Sequence, residues 1–146
     1  MITRIGHMAI RARDMEATAK FYREVLGLKE AFRMHNTPDG SLGSIHMFVA
    51  PSQYIEIFPH GEKECKHDKT TIGHCHMCYE VEDAEAALKF MKERGAPIDS
   101  DIKLGFSKCI QFFTHDPDGN SIEIMQLPPD CLQVEANNRF AGEQSK

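Results

Sequence analysis

The chain has 146 residues, of which 41% are hydrophobic and 27% are charged, and its formal net charge is −5 at pH 7. This size and composition are typical of one globular domain, or of two half-domains that share a core. Because the net charge is negative and the basic residues form no cluster, we expect no nucleic-acid partner. The sequence contains no apolar run of about eighteen residues, so we expect no membrane association through a spanning helix.

The N-terminus and the cysteines bear on the cellular compartment. Residues 1–4, Met-Ile-Thr-Arg, lack the basic and then apolar pattern of a signal peptide. The chain has five cysteines, an odd number in a protein large enough to fold without disulfides. Both features predict a cytoplasmic protein with free thiols.

A strand followed by a helix opens the chain. Residues 2–11 alternate between the two faces of a predicted strand. Asp14 is a predicted helix N-cap, the helix is predicted over residues 15–26, and Gly27 is predicted to end it. Three further strands are predicted in the first half of the chain, over residues 29–35, 44–50 and 53–58. The first half therefore has the order β-α-β-β-β.

The same strand-to-helix segment occurs again 69 residues later. Residues 7–24 and 76–93 are identical at eight of eighteen positions, which indicates an internal repeat. The second helix is predicted from Ala84 to Arg94, with Asp83 as its N-cap. The remaining strands are predicted over residues 98–102, 108–114 and 121–126.

The repeat divides the chain into four parts. These are a first unit at residues 1–59, a linker at 60–72, a second unit at 73–127, and a tail at 128–146 that forms an arm or a short helix. The predicted fold class is α+β, with two tandem β-α-β-β-β units that form a curled mixed sheet around a cleft.

Each unit carries one histidine and one glutamate at equivalent positions. His7 and His76 begin the repeated segments, and Glu56 and Glu123 lie in the Ile-Glu-Ile motif of the last strand of each unit. A carboxylate that faces a packed sheet is costly unless it is paired or bound to a cation. Two imidazoles and two carboxylates suit zinc, nickel, iron(II), cobalt or manganese better than calcium.

His74 is the alternative to His76, because it faces the same side of the predicted strand. The repeat favours His76, since His76 aligns with His7 and no histidine precedes His7. Cys75 and Cys78 form a C-x-x-C pair around His76. In a strand their thiols point to opposite faces, which disfavours a shared zinc or redox role.

In its motifs the chain resembles the vicinal oxygen chelate superfamily of glyoxalase, bleomycin-resistance and dioxygenase proteins, and within it glyoxalase I (lactoylglutathione lyase). The motifs that carry the resemblance lie in both halves of the chain and follow the family's order. They are His7, residues 21–28 (FYREVLGL), residues 54–57 (YIEI), residues 73–76 (GHCH) and residues 116–123 (DPDGNSIE).

The resemblance implies a divalent metal that is held in the cleft by His7, Glu56, His76 and Glu123. It also implies a reaction, in which the hemithioacetal of a 2-oxoaldehyde and a thiol becomes a 2-hydroxyacyl thioester. Glu123 is the expected general base, with Glu56 as its partner or alternative. Because the family is usually dimeric, a homodimer is expected, with the cleft formed within one chain or across the dimer.

Three further residues are expected near a small-molecule substrate, which is expected to be a thiol conjugate. Arg11 corresponds to an arginine that holds a glutathione carboxylate in glyoxalase I, and a pair with Glu80 is its competing role. His60 lies near the place of an asparagine that contacts the thiol cofactor in the family. Lys108 lies near the family's basic residue on the strand before the Asp-Pro-Asp-Gly turn.

Other members of the superfamily remain alternatives. A coenzyme A-linked epimerase also uses a glutamate base, but that family generally has glutamine at the position of Glu56. Extradiol dioxygenases and fosfomycin-type thiol transferases use two histidines and one glutamate. A drug-binding resistance protein without metal is the alternative from another functional class, and the complete set of four ligand residues disfavours it.

Overall fold

The structure is a computed structural model, and it describes residues 2–63, 70 and 72–144. The chain divides into two compact units, Met1–Lys66 with Asp116–Gly119, and His67–His115 with Asn120–Lys146. Among the described residues there are three helices and eight strands. None of the described helices combines the length and apolarity needed to cross a membrane.

The first unit contains one helix and one four-stranded sheet. Its elements are β1 (His7–Arg11), α1 (Met15–Glu24), β2 (Lys29–Met34), β3 (Ser44–Ala50) and β4 (Gln53–Phe58). The strand order is β1-β4-β3-β2. The β1–β4 pair is parallel and the other two pairs are antiparallel, so the sheet is mixed.

The second unit repeats this architecture and adds a C-terminal helix. Its elements are β5 (Met77–Glu80), α2 (Ala84–Lys92), β6 (Lys103–Leu104), β7 (Ile110–His115), β8 (Ser121–Gln126) and α3 (Leu132–Gln144). The strand order is β5-β8-β7-β6, and the β5–β8 pair is parallel. The equivalent strands therefore occupy equivalent places in the two sheets.

Both repeated helices begin at the predicted aspartates. The Asp14 carboxylate accepts hydrogen bonds from the backbone N–H groups of Glu16 and Ala17, and the Asp83 carboxylate accepts those of Glu85 and Ala86. Such side chains satisfy N–H groups that the first helical turn leaves without partners. Shortly after each helix a glycine, Gly27 or Gly95, adopts a left-handed conformation with φ of 76° or 78°.

Successive residues of a strand point to opposite faces of its sheet, so core residues lie on one face and site residues on the other. In the last strand of each unit the two isoleucines of the Ile-Glu-Ile motif are buried in the core, at Ile55, Ile57, Ile122 and Ile124. The intervening Glu56 and Glu123 point to the opposite face of their sheets. The core on the isoleucine side thus fixes which way each carboxylate points.

The turn segment Asp116–Gly119 belongs to the first unit. The Tyr22 hydroxyl donates to Asp116 at 3.2 Å, and the Thr18 hydroxyl donates to Asp118 at 3.1 Å. The Arg13 backbone N–H also donates to Asp118. The Asp-Pro-Asp-Gly motif therefore supplies one buried acceptor, Asp116, and one partly exposed acceptor, Asp118, in addition to a turn.

The predicted α+β class is confirmed, as is the order of the elements in each unit. The two tandem units are confirmed as well, and each forms a four-stranded mixed sheet that is not closed. The tail forms a helix rather than an extended arm. Of the predicted linker, residues 64–69 and 71 lie outside the described part of the chain, and the bounds of the four predicted parts stay predictions.

Several strand boundaries also differ from those predicted. The first strand begins at His7 rather than residue 2, because its partner strand β4 begins at Gln53 and pairs from Tyr54 onward. The strand predicted over 98–102 is reduced to one bridge between Ile98 and Thr114. Lys108 precedes β7 instead of beginning it, in a turn in which its N–H donates to the Gly105 carbonyl.

Candidate functional site

In the first unit, β1 and β4 bring one histidine and one glutamate together. Ala9 lies opposite Glu56 in the parallel ladder, so His7, two residues earlier on the same face, reaches the Glu56 side chain. The His7 Nε2 atom lies 3.5 Å from Glu56 Oε2. The histidine side chain is 56% exposed and the glutamate side chain is 13% exposed. A largely buried carboxylate therefore faces an accessible imidazole.

The second unit builds the same pair from β8 and the residue that precedes β5. Cys78 lies opposite Glu123 in the ladder, and His76 precedes Cys78 by two residues. The His76 Nε2 atom lies 2.9 Å from Glu123 Oε2. The His76 ring meets the Phe113 ring edge-on, with centroids 5.6 Å apart. His74, the alternative considered above, is exposed, and it is His76 that contacts the glutamate.

The sequence interpretation missed a third polar residue in the first unit, His46. Its Nε2 atom lies 3.4 Å from Glu56 Oε1, so the two oxygens of Glu56 each face one imidazole. His46 is 7% exposed and stacks on Phe32, with ring centroids 4.2 Å apart. Loss of hydration lowers the pKa of His46 below the usual histidine value, while the Glu56 carboxylate acts in the opposite direction.

A second missed residue is Cys78, which faces Glu123 across the β5–β8 ladder. Loss of hydration raises the pKa of the Cys78 thiol to about 12, and the negative charge of Glu123 adds to the rise. The protonated thiol is therefore the form that this part of the sheet favours. The C-x-x-C pattern of the sequence drew attention to Cys78 for a different role.

The two carboxylates thus have different neighbours at equivalent ladder positions. On one side, Glu56 faces His46 where Glu123 faces Phe113. On the other side, Glu56 lies opposite Ala9 where Glu123 lies opposite Cys78. The repeat reproduces the histidine–glutamate pair, but the residues around each pair have diverged.

The three predicted substrate contacts lie at loop or strand ends. Arg11 ends β1, donates to the Pro59 carbonyl at 2.8 Å and lies over the Phe58 ring. His60 is exposed and has a left-handed backbone with φ of 67°. In the second unit, the Lys108 Nζ atom lies 3.5 Å from Asp130 Oδ2.

Each histidine–glutamate pair fits two neighbouring ligands of a divalent metal. Two ligand atoms that each lie about 2.1 Å from one ion are about 3.0 to 3.4 Å apart in common geometries. The observed N···O distances are 2.9 Å in the second unit and 3.5 Å in the first. Within the described residues, no set of three or more His, Cys, Asp or Glu side chains is arranged as a metal site. Each unit by itself thus offers a pair of ligands.

Comparison with known proteins places these residues in a family context. The family model described as Glyoxalase/Bleomycin resistance protein/Dioxygenase superfamily matches residues 4–124. The ethylmalonyl-CoA/methylmalonyl-CoA epimerase of Cereibacter sphaeroides is 33% identical over 87% of this chain and 100% of its own length. The matched region contains both histidine–glutamate pairs.

Two glyoxalase relatives give similar matches. A probable chloroplastic lactoylglutathione lyase of Arabidopsis thaliana is 27% identical over 86% of this chain. The trypanothione-dependent glyoxalase I of Leishmania major has 26% identity and a TM-score of 0.69, and 99% of each chain is covered. The chain spans 36 to 47% of the length of the curated lactoylglutathione lyases that it matches.

Proposed function

Because the chain belongs to the Glyoxalase/Bleomycin resistance protein/Dioxygenase superfamily, we propose that it is a metal-dependent lyase or isomerase of the glyoxalase I type. Its substrate is the hemithioacetal of a 2-oxoaldehyde and a thiol, and its product is a 2-hydroxyacyl thioester. One observation carries the proposal: each unit places a shielded glutamate against a histidine at repeat-equivalent positions.

The proposed metal ligands are His7, Glu56, His76 and Glu123. Their nitrogen and oxygen donors suit zinc, nickel, iron(II), cobalt or manganese. A bound divalent metal would supply the positive charge that stabilises negative charge on the substrate oxygens. Two carboxylates neutralise the charge of the ion, and one of them can also serve as a base.

Glu123 is the proposed general base. Its carboxylate would take the proton from C1 of the hemithioacetal and return it to C2, which isomerises the substrate without any net redox change. Glu56 is the alternative base or partner. The environment of Glu123 supports this assignment, since Glu123 contacts one imidazole whereas Glu56 lies between two.

Substrate binding and assembly complete the proposal. Arg11, His60 and Lys108 are the proposed contacts for the thiol part of the substrate, which carries carboxylates if the thiol is glutathione. The donor groups of these three side chains suit such an anion. A homodimer is proposed because members of the superfamily commonly form dimers.

A coenzyme A-linked epimerase is the second candidate function. The 33% identity to the Cereibacter epimerase, over the full length of that protein, favours it. An epimerase of this kind would use the same chemistry, because it removes and returns a proton on the carbon next to a thioester carbonyl. The carboxylate of Glu56, where the epimerase family generally has glutamine, favours the glyoxalase reaction.

The substrate can be identified by parallel assays of the metal-loaded protein. One assay follows thioester formation from methylglyoxal with glutathione, and then with bacillithiol and other thiols. The other follows epimerisation of methylmalonyl-CoA and ethylmalonyl-CoA. Turnover in the first assay alone supports the glyoxalase proposal, and turnover in the second alone replaces it with the epimerase.

The base is tested by Glu123→Gln, which keeps the shape of the side chain and removes its basicity. We expect kcat to fall by about 10²- to 10⁴-fold, the usual contribution of a general base. The matched control is Glu82→Gln, the same change at an exposed glutamate between β5 and α2. Undiminished turnover in Glu123→Gln would exclude this residue as the base.

A further inference from the structure

We propose that His46 is a positioning residue, which holds the Glu56 carboxylate against His7 so that Glu56 stays a fixed metal ligand while Glu123 is the carboxylate that moves. This inference rests on the proposed function and goes beyond it, because it assigns different roles to two glutamates that the repeat makes equivalent. The assignment follows from the contacts of each carboxylate.

Each of the two carboxylate oxygens of Glu56 faces one imidazole. His7 Nε2 lies 3.5 Å from Oε2, and His46 Nε2 lies 3.4 Å from Oε1. The His46 contact spans two antiparallel strands at directly opposed positions. Rotation of the carboxylate away from His7 would therefore break the contact with His46.

The burial of His46 determines which of its nitrogens carries a hydrogen. Its Nδ1 atom is buried and has no hydrogen-bond partner among the described residues. A hydrogen on Nδ1 would leave a buried donor unsatisfied and would point the Nε2 lone pair at a carboxylate oxygen. A hydrogen on Nε2 avoids both costs. The tautomer with its hydrogen on Nε2 therefore suits the contact with Glu56 Oε1.

The His46 ring is itself held in place. It stacks on Phe32, its ladder neighbour on β2, with an angle of 21° between the ring planes. The Tyr54 ring packs edge-on against it, with centroids 6.5 Å apart. Because the ring has aromatic neighbours and little exposure, its orientation is fixed. A donor that is fixed in this way and contacts a metal ligand orients that ligand.

The second unit lacks this support. At the position equivalent to His46 it has Phe113, whose ring cannot donate a hydrogen bond to Glu123. The ladder neighbour on the other side is the Cys78 thiol, a weak donor. Among the residues that the structure describes, Glu123 therefore has one strong polar neighbour, His76, where Glu56 has two. The carboxylate with fewer constraints is the one suited to leave the metal and carry a proton.

The test compares His46→Phe, which copies the residue of the second unit, with His46→Gln, which keeps a donor near the position of Nε2. In His46→Phe we expect affinity for Zn²⁺ or Ni²⁺, measured by competition with a chelator, to fall about 10- to 100-fold. In His46→Gln we expect a smaller fall. His35→Phe, the same change at an exposed histidine beyond β2, is the matched control and should leave the affinity unchanged.

Stability of the metal-free protein separates positioning from a structural role. His46→Phe keeps a ring of similar shape and removes the unpaired Nδ1, so the metal-free variant should be at least as stable as the parent protein. A loss of affinity that only mirrors a loss of metal-free stability would overturn the inference. Unchanged affinity in a well-folded His46→Phe would overturn it as well.

A third measurement needs no metal and no variant. Long-range ¹H–¹⁵N spectra of the metal-free protein should show the His46 hydrogen on Nε2, and a hydrogen on Nδ1 would contradict the inference. Failure of the proposed function and failure of the proposed role of His46 give different results. If the parent protein binds no divalent metal, the proposed function fails together with the inference, whereas metal binding that is insensitive to His46 overturns the inference alone.

Discussion

The Cys78 thiol and the Glu123 carboxylate lie opposite each other on neighbouring strands, and their interaction can be measured in the metal-free protein. Because burial and Glu123 raise the pKa of Cys78 to about 12, the thiol should react slowly with iodoacetamide at pH 8. Glu123→Gln removes a negative charge beside the thiol. This change should lower the pKa of Cys78 and move its pH–rate curve to lower pH.

Mass spectrometry can follow each cysteine separately in the same sample. Cys75, which is exposed like Cys78 and lies three residues earlier, serves as the internal control. We expect Cys75 to be alkylated first at pH 8 in the parent protein. Equal rates at both cysteines, or a Cys78 curve that ignores Glu123→Gln, would contradict the site geometry described above.

The internal repeat was enough to relate the site residues of the two units by their positions in the sequence. It related His7 to His76 and Glu56 to Glu123, and in the structure each histidine contacts the glutamate of its own unit. His46 was missed for a physical reason. Its contact with Glu56 depends on the register between β3 and β4. A shift of that register by one residue would place another residue of β3 opposite Glu56.

At the scale of elements, Arg33 joins helix α1 to strand β2. Its guanidinium donates to Glu30 at 2.6 and 3.0 Å and to Glu16 at 3.1 Å. The hydrogen bond from Arg33 lowers the pKa of Glu30 below its usual value of 4.5. Since the groups are partly exposed, Arg33→Met should reduce the free energy of unfolding by about 1 kcal/mol at pH 7.

The pH dependence of that loss has a defined sign. A carboxylate whose pKa is lower in the folded state contributes stability above its unfolded pKa, and this stability is lost as the pH falls through the folded pKa. The difference between Arg33→Met and the parent should therefore shrink below pH 4.5. Lys29→Met, on the same strand, is the control for loss of charge. Urea denaturation at pH 7, 5 and 3 checks this, and a pH-independent difference would be contrary to expectation.

Elements with a strong periodic pattern were predictable, and those governed by side-chain contacts were not. Both capped helices and the strand Ser44–Ala50 follow from local sequence. The segment after Pro97 does not form its predicted strand. There, the Ser100 hydroxyl accepts a hydrogen bond from the Phe113 N–H, and the Asp99 carboxylate contacts His115 Nδ1. One backbone hydrogen bond remains, from the Asp99 N–H to the Phe113 carbonyl, and side chains supply these other contacts. Alternation of apolar residues does not reveal side-chain contacts of this kind.

At the scale of the whole molecule, duplication explains both the architecture and the distribution of chemistry. Two units with the same strand order each present one histidine–glutamate pair. The α+β class followed from the repeat. The order in which the strands pair within each sheet did not, because alternation specifies faces and not which strands pair. We propose that the two pairs serve one metal ion, within one chain or across a dimer.

Metal stoichiometry tests this proposal. The metal-free protein is titrated with Zn²⁺ or Ni²⁺ in the presence of a competing chelator, and bound metal is measured by elemental analysis. The same titration is repeated on His7→Ala and His76→Ala, one change in each unit. We expect one tightly bound ion per chain, lost in either variant. Two ions per chain that are lost independently, or no bound metal in the parent protein, would contradict it.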